Sequence, residues 1–315
     1  MTALPPPCPP ASPGIETFHA TLPHGIHLSC RACGPLDGPV LLFLHGFPEA
    51  AFVWDGLLQH FAQAEHGGYR CVAPNLRGFE HSSRPAEVAD YRAKFLCQDI
   101  SALIQCLSPH RPLAALVAHD WGGAVAWGVA NQQPELMQRL VILNSPHPGI
   151  FLRELQHNPE QQAASAYMNF LVRPDSAELL AEDNFKRLWP FLMTPQRPAW
   201  LSDAVMAQYE SVWSLGLNEG CHYYRASPLR PETADDKTIA GLTLPPSMLH
   251  IAVPTWVLWG LGDIALRPGL LAGLDEHVPK LTVRTHPHAS HWLVHEDPQW
   301  VAQQLGEFLS QPPSL

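Results

Sequence analysis

The chain has 315 residues, 46% apolar and 15% charged, enough to bury a large core as one domain with an insertion or as two. Its 19 basic against 29 acidic residues leave a net charge of −10, which argues against a partner recognised through a phosphate backbone, so no nucleic acid is expected. No apolar run approaches the roughly 20 residues of a membrane span, and the opening MTALPPPCPPASPG lacks the basic and apolar stretches of a secretory signal.

The prolines of residues 1–14 predict an extended or frayed arm. Residues 14–33 read as two strands around a turn at Pro23–Gly25, and 39–44 (PVLLFL) as a short buried strand ending in His45-Gly46-Phe47-Pro48-Glu49. A helix over 51–62, a strand over 69–73, the loop 74–79 and an amphipathic helix over 91–107 follow. The apolar run 113–118 predicts a strand and 120–131 its helix, with another strand at 140–143. Then roughly a hundred residues pass before the next clear strand at 254–259, far more than one crossover needs. Helical segments at 152–156, 177–188 and 203–214 fall inside this interval, broken by Pro174, Pro190, Pro195 and Pro198. A helix near 268–274, a strand at 281–285 and a helix at 299–309 close the chain. Alternating strands and helices imply a mostly parallel sheet with helices on both sides, an α/β core over 15–148 and 250–315. Residues 149–249 form a helical insertion.

Seven scattered cysteines, an odd number, fit reduced thiols in a cytoplasm better than a disulfide frame. Cys30 and Cys33 have CxxC spacing but lie in a strand, where their side chains face opposite ways.

The stretch Leu116–Trp127, LVAHDWGGAVAW, is strand, sharp turn and helix, with Ala118, Gly122 and Gly123 small enough for close backbone approach. Its tip is Asp120. A carboxylate that attacks saturated carbon leaves an alkyl ester, which water can cleave, whereas a serine would leave an inert ether. Read alone, Asp120 also fits a helix N-cap after a buried strand. Ligands of open α/β sheets gather at the carboxyl ends of the strands, and three more such loops carry reactive groups. Trp259-Gly260-Leu261-Gly262-Asp263 presents a carboxylate, Ala289-Ser290-His291-Trp292 an imidazole, and the His45–Pro48 loop backbone N–H groups.

With these residues in place, the chain resembles an α/β-hydrolase, most closely the epoxide hydrolase branch, over about residues 15–310. The family's order of nucleophile, acid and histidine is matched by Asp120, Asp263 and His291, its HGxP motif by His45-Gly46-Phe47-Pro48. Leu143-Asn144-Ser145-Pro146-His147-Pro148 and His291-Trp292…Glu296-Asp297-Pro298 match two supporting motifs. The resemblance implies an inserted cap carrying two tyrosines that protonate the epoxide oxygen. Tyr167, in Tyr167-Met168-Asn169-Phe170, and Tyr224, before Arg225, take those places. It further implies an oxyanion hole from the N–H groups of Phe47 and Trp121, a cis Phe47–Pro48 bond, and loop-shaping roles for His45, Gly46, Pro48, His119 and Trp292. A small hydrophobic epoxide and water are then the partners, with no cofactor or metal, and a homodimer is the candidate assembly.

Rival dehalogenase readings fit less well. The haloacetate type expects arginines where this chain has Trp121 and Ala124, and a His-Trp pair where it has Met168-Asn169; the haloalkane type expects Asn or Glu at Phe47. A non-catalytic relative that merely binds a hydrophobic ligand would not need the intact Asp–Asp–His set. His286 and His288 with His291 suggest metal spacing, but His291 is already required as base. His119 and His147 read as loop-fixing residues. Leu171, Leu261 and Asn75 depart from the family pattern, where an aromatic, a Glu and an Asp are usual.

Overall fold

The computed structural model describes residues 12, 14–193 and 196–312. The arm expected over residues 1–14 therefore lies outside the described residues, Ser12 and Gly14 excepted. Eight strands form one sheet: β1 (Glu16–Thr21), β2 (His27–Cys33), β3 (Val40–Leu44), β4 (Arg70–Pro74), β5 (Ala115–His119), β6 (Leu140–Leu143), β7 (Thr255–Gly260) and β8 (Leu281–His286). Their order is β1-β2-β4-β3-β5-β6-β7-β8. The β1–β2 and β2–β4 pairs are antiparallel and every other pair is parallel.

Between strands run α1 (Asp55–Ala62), α2 (Ala93–Leu107) and α3 (Asp120–Gln132). From β6 to β7 the chain passes through α4 (Pro148–His157), α5 (Pro159–Ala164), α6 (Tyr167–Leu171), α7 (Ser176–Phe185), α8 (Trp189–Leu192), α9 (Asp203–Trp213) and α10 (Asn218–Ala226). After β8 come α11 (Leu293–Glu296) and α12 (Pro298–Ser310).

The central strands are continuously apolar because both their faces are covered. Along β3, Leu41 and Phe43 join the cluster under α1 and α12, while Val40, Leu42 and Leu44 join the one under α2, α3 and the helices between β6 and β7. Cys30 and Cys33 separate in the same way onto opposite faces. A buried bidentate pair, Arg31 Nε and Nη2 with the Asp55 carboxylate at 2.7 and 2.6 Å, ties β2 to α1.

The helix expected near 268–274 is instead two short 3-10 turns, Pro268–Leu271 and Leu274–Glu276. Gly273 separates them with φ +80°, a left-handed conformation that a helix cannot propagate through. Helices α5, α6, α8 and α10 were not legible in the hydrophobic pattern. They are short, and α10 buries Gly220, Cys221, His222, Tyr223 and Tyr224 rather than an aliphatic stripe. Among the described residues no helix is long and apolar enough to cross a membrane.

Candidate active site

Strand β5 delivers Asp120 at its carboxyl end in a left-handed conformation, φ +49°. Such a backbone costs a non-glycine residue about 1–3 kcal/mol, and persists only where its surroundings enforce it. The enforcement is close packing of two turns. A Cβ on Gly122 would stand 2.5 Å from the His45 carbonyl oxygen and 2.6 Å from that of Leu44, and a Cβ on Gly46 would overlap the Asp120 side chain. Ser145 Oγ donates to the Asp120 carbonyl at 2.7 Å. The N-cap alternative for Asp120 is not what forms: His119 holds the cap position without a side-chain cap bond. The Asp120 carboxylate reaches back to the β3 loop instead, where Phe47 N–H donates to Oδ1 at 2.7 Å. The Trp121 N–H, the second donor expected, makes no bond to this carboxylate.

The β3 loop is itself fixed by His45. Its Nδ1–H donates to the Gly46 carbonyl at 2.9 Å and its Nε2 accepts the Leu76 N–H at 3.0 Å, which defines a neutral tautomer. Burial pushes its pKa down to about 4. The Phe47–Pro48 bond is cis, as the resemblance implied. Asn75 accepts the Ala51 N–H through Oδ1 at 2.7 Å and donates through Nδ2 to Ser29 Oγ and the buried Glu80 carboxylate. An Asp there would set a second negative charge against Glu80, which accounts for the departure.

The Asp263 carboxylate is buried and bonded at both oxygens. Oδ1 accepts the N–H groups of Ala265 and Leu266 at 2.9 and 2.8 Å, while Oδ2 lies 2.8 Å from both Asn144 Nδ2 and His291 Nδ1. Asn144, φ +38°, also accepts the Gly260 N–H at 3.0 Å, so it locks the β7 turn. The motif holding Asn144 was visible in the sequence, but this role was not.

The far nitrogen of His291, Nε2, stands 3.7 Å from Asp120 Oδ2. Burial alone would lower the pKa of this imidazole. The charge and hydrogen bond of Asp263, then the charges of Asp120 and Glu49, outweigh burial and raise it to about 9. Trp292 packs edge-on against His291, centroids 4.8 Å apart, and its Nε1–H donates to the Phe191 carbonyl of α8 at 2.8 Å. His119 Nε2 lies 2.9 Å from the His291 carbonyl oxygen.

Two cavities meet over Asp120. One, about 330 Å³, reaches past His291, Trp292, Phe191 and Ile264; the other, about 90 Å³, runs between Phe151, Met168 and Leu266. Asp120, Tyr167 and Tyr224 line both. The two tyrosine rings are 6.2 Å apart at 77°. Burial, reinforced by the charges of Asp120 and Asp263 for Tyr167 and by Tyr167 and Asp120 for Tyr224, drives both phenols well above their ordinary range, so they remain donors. The neighbouring Tyr223 turns away and donates to the Arg77 carbonyl at 2.8 Å. A larger groove of about 810 Å³ between α1 and α12 shares no residue with these cavities.

Other histidines have other uses. His147 caps α4 by accepting the Gly149 N–H, and its Nε2–H donates to the Leu249 carbonyl at 2.9 Å. His286 accepts the Ala289 N–H at 2.9 Å and faces Asp297, so it does not converge with His291 on a common point. Glu49, Tyr209 and His295, which sequence reasoning did not single out, are bonded to one another, with Glu49 and Tyr209 buried and His295 partly so.

A family model described as alpha/beta hydrolase fold matches residues 39–298. A Bacillus subtilis (strain 168) protein named AB hydrolase superfamily protein YfhM is 32% identical over 91% of this chain and 95% of its own. Epoxide hydrolase 3 of Xenopus tropicalis is 32% identical over 91% of this chain and 76% of its own. Among solved structures, a Bacillus megaterium epoxide hydrolase in complex with an inhibitor superposes with a TM-score of 0.83 at 29% identity, covering 93% of this chain and all of that one.

Proposed function

The chain belongs to the alpha/beta hydrolase fold family, and on that premise we propose that it is an epoxide hydrolase, opening an epoxide to a vicinal diol through an ester on Asp120. The observation that carries the reading is the convergence of a carboxylate, an imidazole and two phenols on one apolar cavity. Asp120 Oδ2 attacks an epoxide carbon, the carbon–oxygen bond breaks, and Tyr167 and Tyr224 supply the proton to the departing oxygen. The helices between β6 and β7 serve as the cap that brings these phenols over the nucleophile. Esterification removes the negative charge of Asp120, one of the causes that hold the His291 proton. That proton then replaces the one the phenols gave up, and leaves a neutral imidazole. In the second step His291 takes a proton from water, hydroxide adds to the ester carbonyl, and the oxyanion forms at Oδ1 against the Phe47 N–H. The Trp121 N–H is the second donor as the carbonyl becomes tetrahedral. Collapse returns the diol, the carboxylate and the imidazolium. No step calls on a metal or an organic cofactor. The scattered cysteines support a cytoplasmic setting.

The test is a panel of styrene oxide-like, aliphatic and fatty epoxides beside haloacetates and haloalkanes, scoring diol and halide release. Diol from at least one epoxide class is expected; halide without diol would move the chain to the dehalogenases. Tyr167→Phe with Tyr224→Phe should slow diol formation about 10²–10⁴-fold, the usual worth of positioned acid catalysis, with folding retained by circular dichroism. Full activity in that double variant would make the tyrosines packing residues and sink the reading.

A further inference from the structure

Glu49, two residues beyond the Phe47 amide, is a carboxylate only 1% exposed, and the chemistry above gives it no task. Tyr209 O–H donates to Oε1 at 2.7 Å and His295 Nε2–H to the same oxygen at 2.6 Å, while His119 Nδ1 stands 3.2 Å from Oε2. The other nitrogen of His119 faces the His291 carbonyl oxygen at 2.9 Å, an atom that can only accept. Both ring nitrogens of His119 therefore face acceptors, one on Glu49 and one on the loop that carries the base. Burial opposes ionisation of Glu49, but the charge of His295, the hydrogen bonds from both imidazoles and the charge of His119 hold its carboxyl well below the usual range.

Glu49 and its three partners come from four separate pieces of chain. Glu49 follows β3, His119 ends β5, His295 lies on α11, and Tyr209 lies on α9, within the insertion. Helix α9 makes a second bond to the same loop, Trp213 Nε1–H to the Pro48 carbonyl at 2.7 Å. Trp200, also from the insertion, stacks on His295 with centroids 4.3 Å apart. An isolated buried carboxylate would be costly; here its three partners come from the turn before Asp120, the insertion and the short helix after His291.

We propose that the chain Tyr209–Glu49–His119 is a positioning device that couples the seating of helix α9 to the orientation of His291, given the assignment of His291 as base. Its two ends act differently. Tyr209 anchors the insertion mechanically, so its loss loosens the imidazole without changing charge. Glu49 also acts through its charge. The groups facing His291 are Asp263, Asp120, His119 and Glu49, and those facing Glu49 are Tyr209, His119 and His295 with His45 nearby. Of the three negative groups just named, Glu49 neither holds the ring nor lines the cavities.

Two variants of the full chain separate these effects. Glu49→Gln should lower the titration midpoint of the His291 imidazole by about half a unit or more, because a raising charge is gone. The readout is the imidazole NMR signal, assigned by its loss in His291→Gln. Tyr209→Phe should leave that midpoint in place yet slow ester cleavage about tenfold in single-turnover experiments, with KM within about twofold, the cost of a misplaced base. An unmoved midpoint in Glu49→Gln together with parent-like ester cleavage in Tyr209→Phe, whatever happens to the unfolding temperature, overturns the proposal. Should Glu49→Gln not fold, the cleavage rate of Tyr209→Phe decides alone. The titration needs no substrate, so a wild type inert toward every epoxide would remove the functional reading while the His291 shift still stood.

Discussion

Replacing His291 by Gln separates the two halves of the proposed reaction, since ring opening rests on Asp120 and the phenols and ester cleavage rests on the imidazole. The variant should accumulate protein carrying one whole substrate mass, because epoxide opening expels no atom, and peptide mapping should place it on Asp120. A substrate turned over by the wild type that left no adduct on this variant would count against the nucleophile. Asp120, Asp263 and His291 were legible because each sits on a short polar turn directly after an apolar strand, a local signal. Glu49 and its partners were not. Tyr209 and His295 lie 160 and 246 positions away from it, and nothing in the local pattern of a buried glutamate announces which donors the fold will bring.

Turns do the positioning between elements, and their chemistry is only half visible in advance. Gly122 could be read as permitting close approach, and the β3 and β5 turns do interlock through it and through Gly46. The role of Asn144 could not, because it depends on β6 and β7 being neighbours in the sheet. Asn144→Gly tests that role cleanly, since glycine accepts φ +38° and only the amide is lost. Removing a donor from the buried Asp263 should cost about 1–3 kcal/mol of stability. The turnover number should fall about tenfold with KM little changed, if the acid no longer holds the ring in one orientation. Parent-like kinetics would show that the Ala265 and Leu266 amides suffice. Helix α10 is the opposite case: Tyr224 was found from its neighbours in sequence, while the helix carrying it was missed for want of an aliphatic face.

For the molecule as a whole, the parallel sheet was readable from strands apolar along their full length, and the site lies where those strands end. The insertion was readable as an interval too long for a crossover, but its packing was not. Its buried residues, Leu171, Leu180 and Trp213 among them, belong to the same apolar cluster as β3 and α3. Stability should therefore respond to pH through the site itself. His291 titrates at about 9 in the folded chain against an ordinary 6.5. A raised value means that its ion pairs stabilise fully below pH 6.5, and that this contribution is lost as pH rises from there through about 9. The gap in unfolding temperature between wild type and His291→Gln should accordingly be widest in mildly acidic buffer and close in alkaline buffer. A gap constant with pH would mean that the imidazole is not charged at rest.

The two oxygens of Asp120 are not equivalent: the Phe47 amide pins Oδ1 at 2.7 Å, while Oδ2 faces His291 at 3.7 Å. In the proposed reaction this gives the carboxylate a memory of which atom it has just spent. In heavy-oxygen water the first diol should leave without the isotope, its new hydroxyl having come from the protein. The solvent atom stays behind on Asp120, in the place Oδ2 vacated, and is the next to be handed over. A second turnover on the same molecule should then deliver the heavy atom in well over half of the product, as read by mass spectrometry. An even split would reveal a carboxylate that flips between turnovers, and a labelled first product would mean that water, not Asp120, had opened the ring.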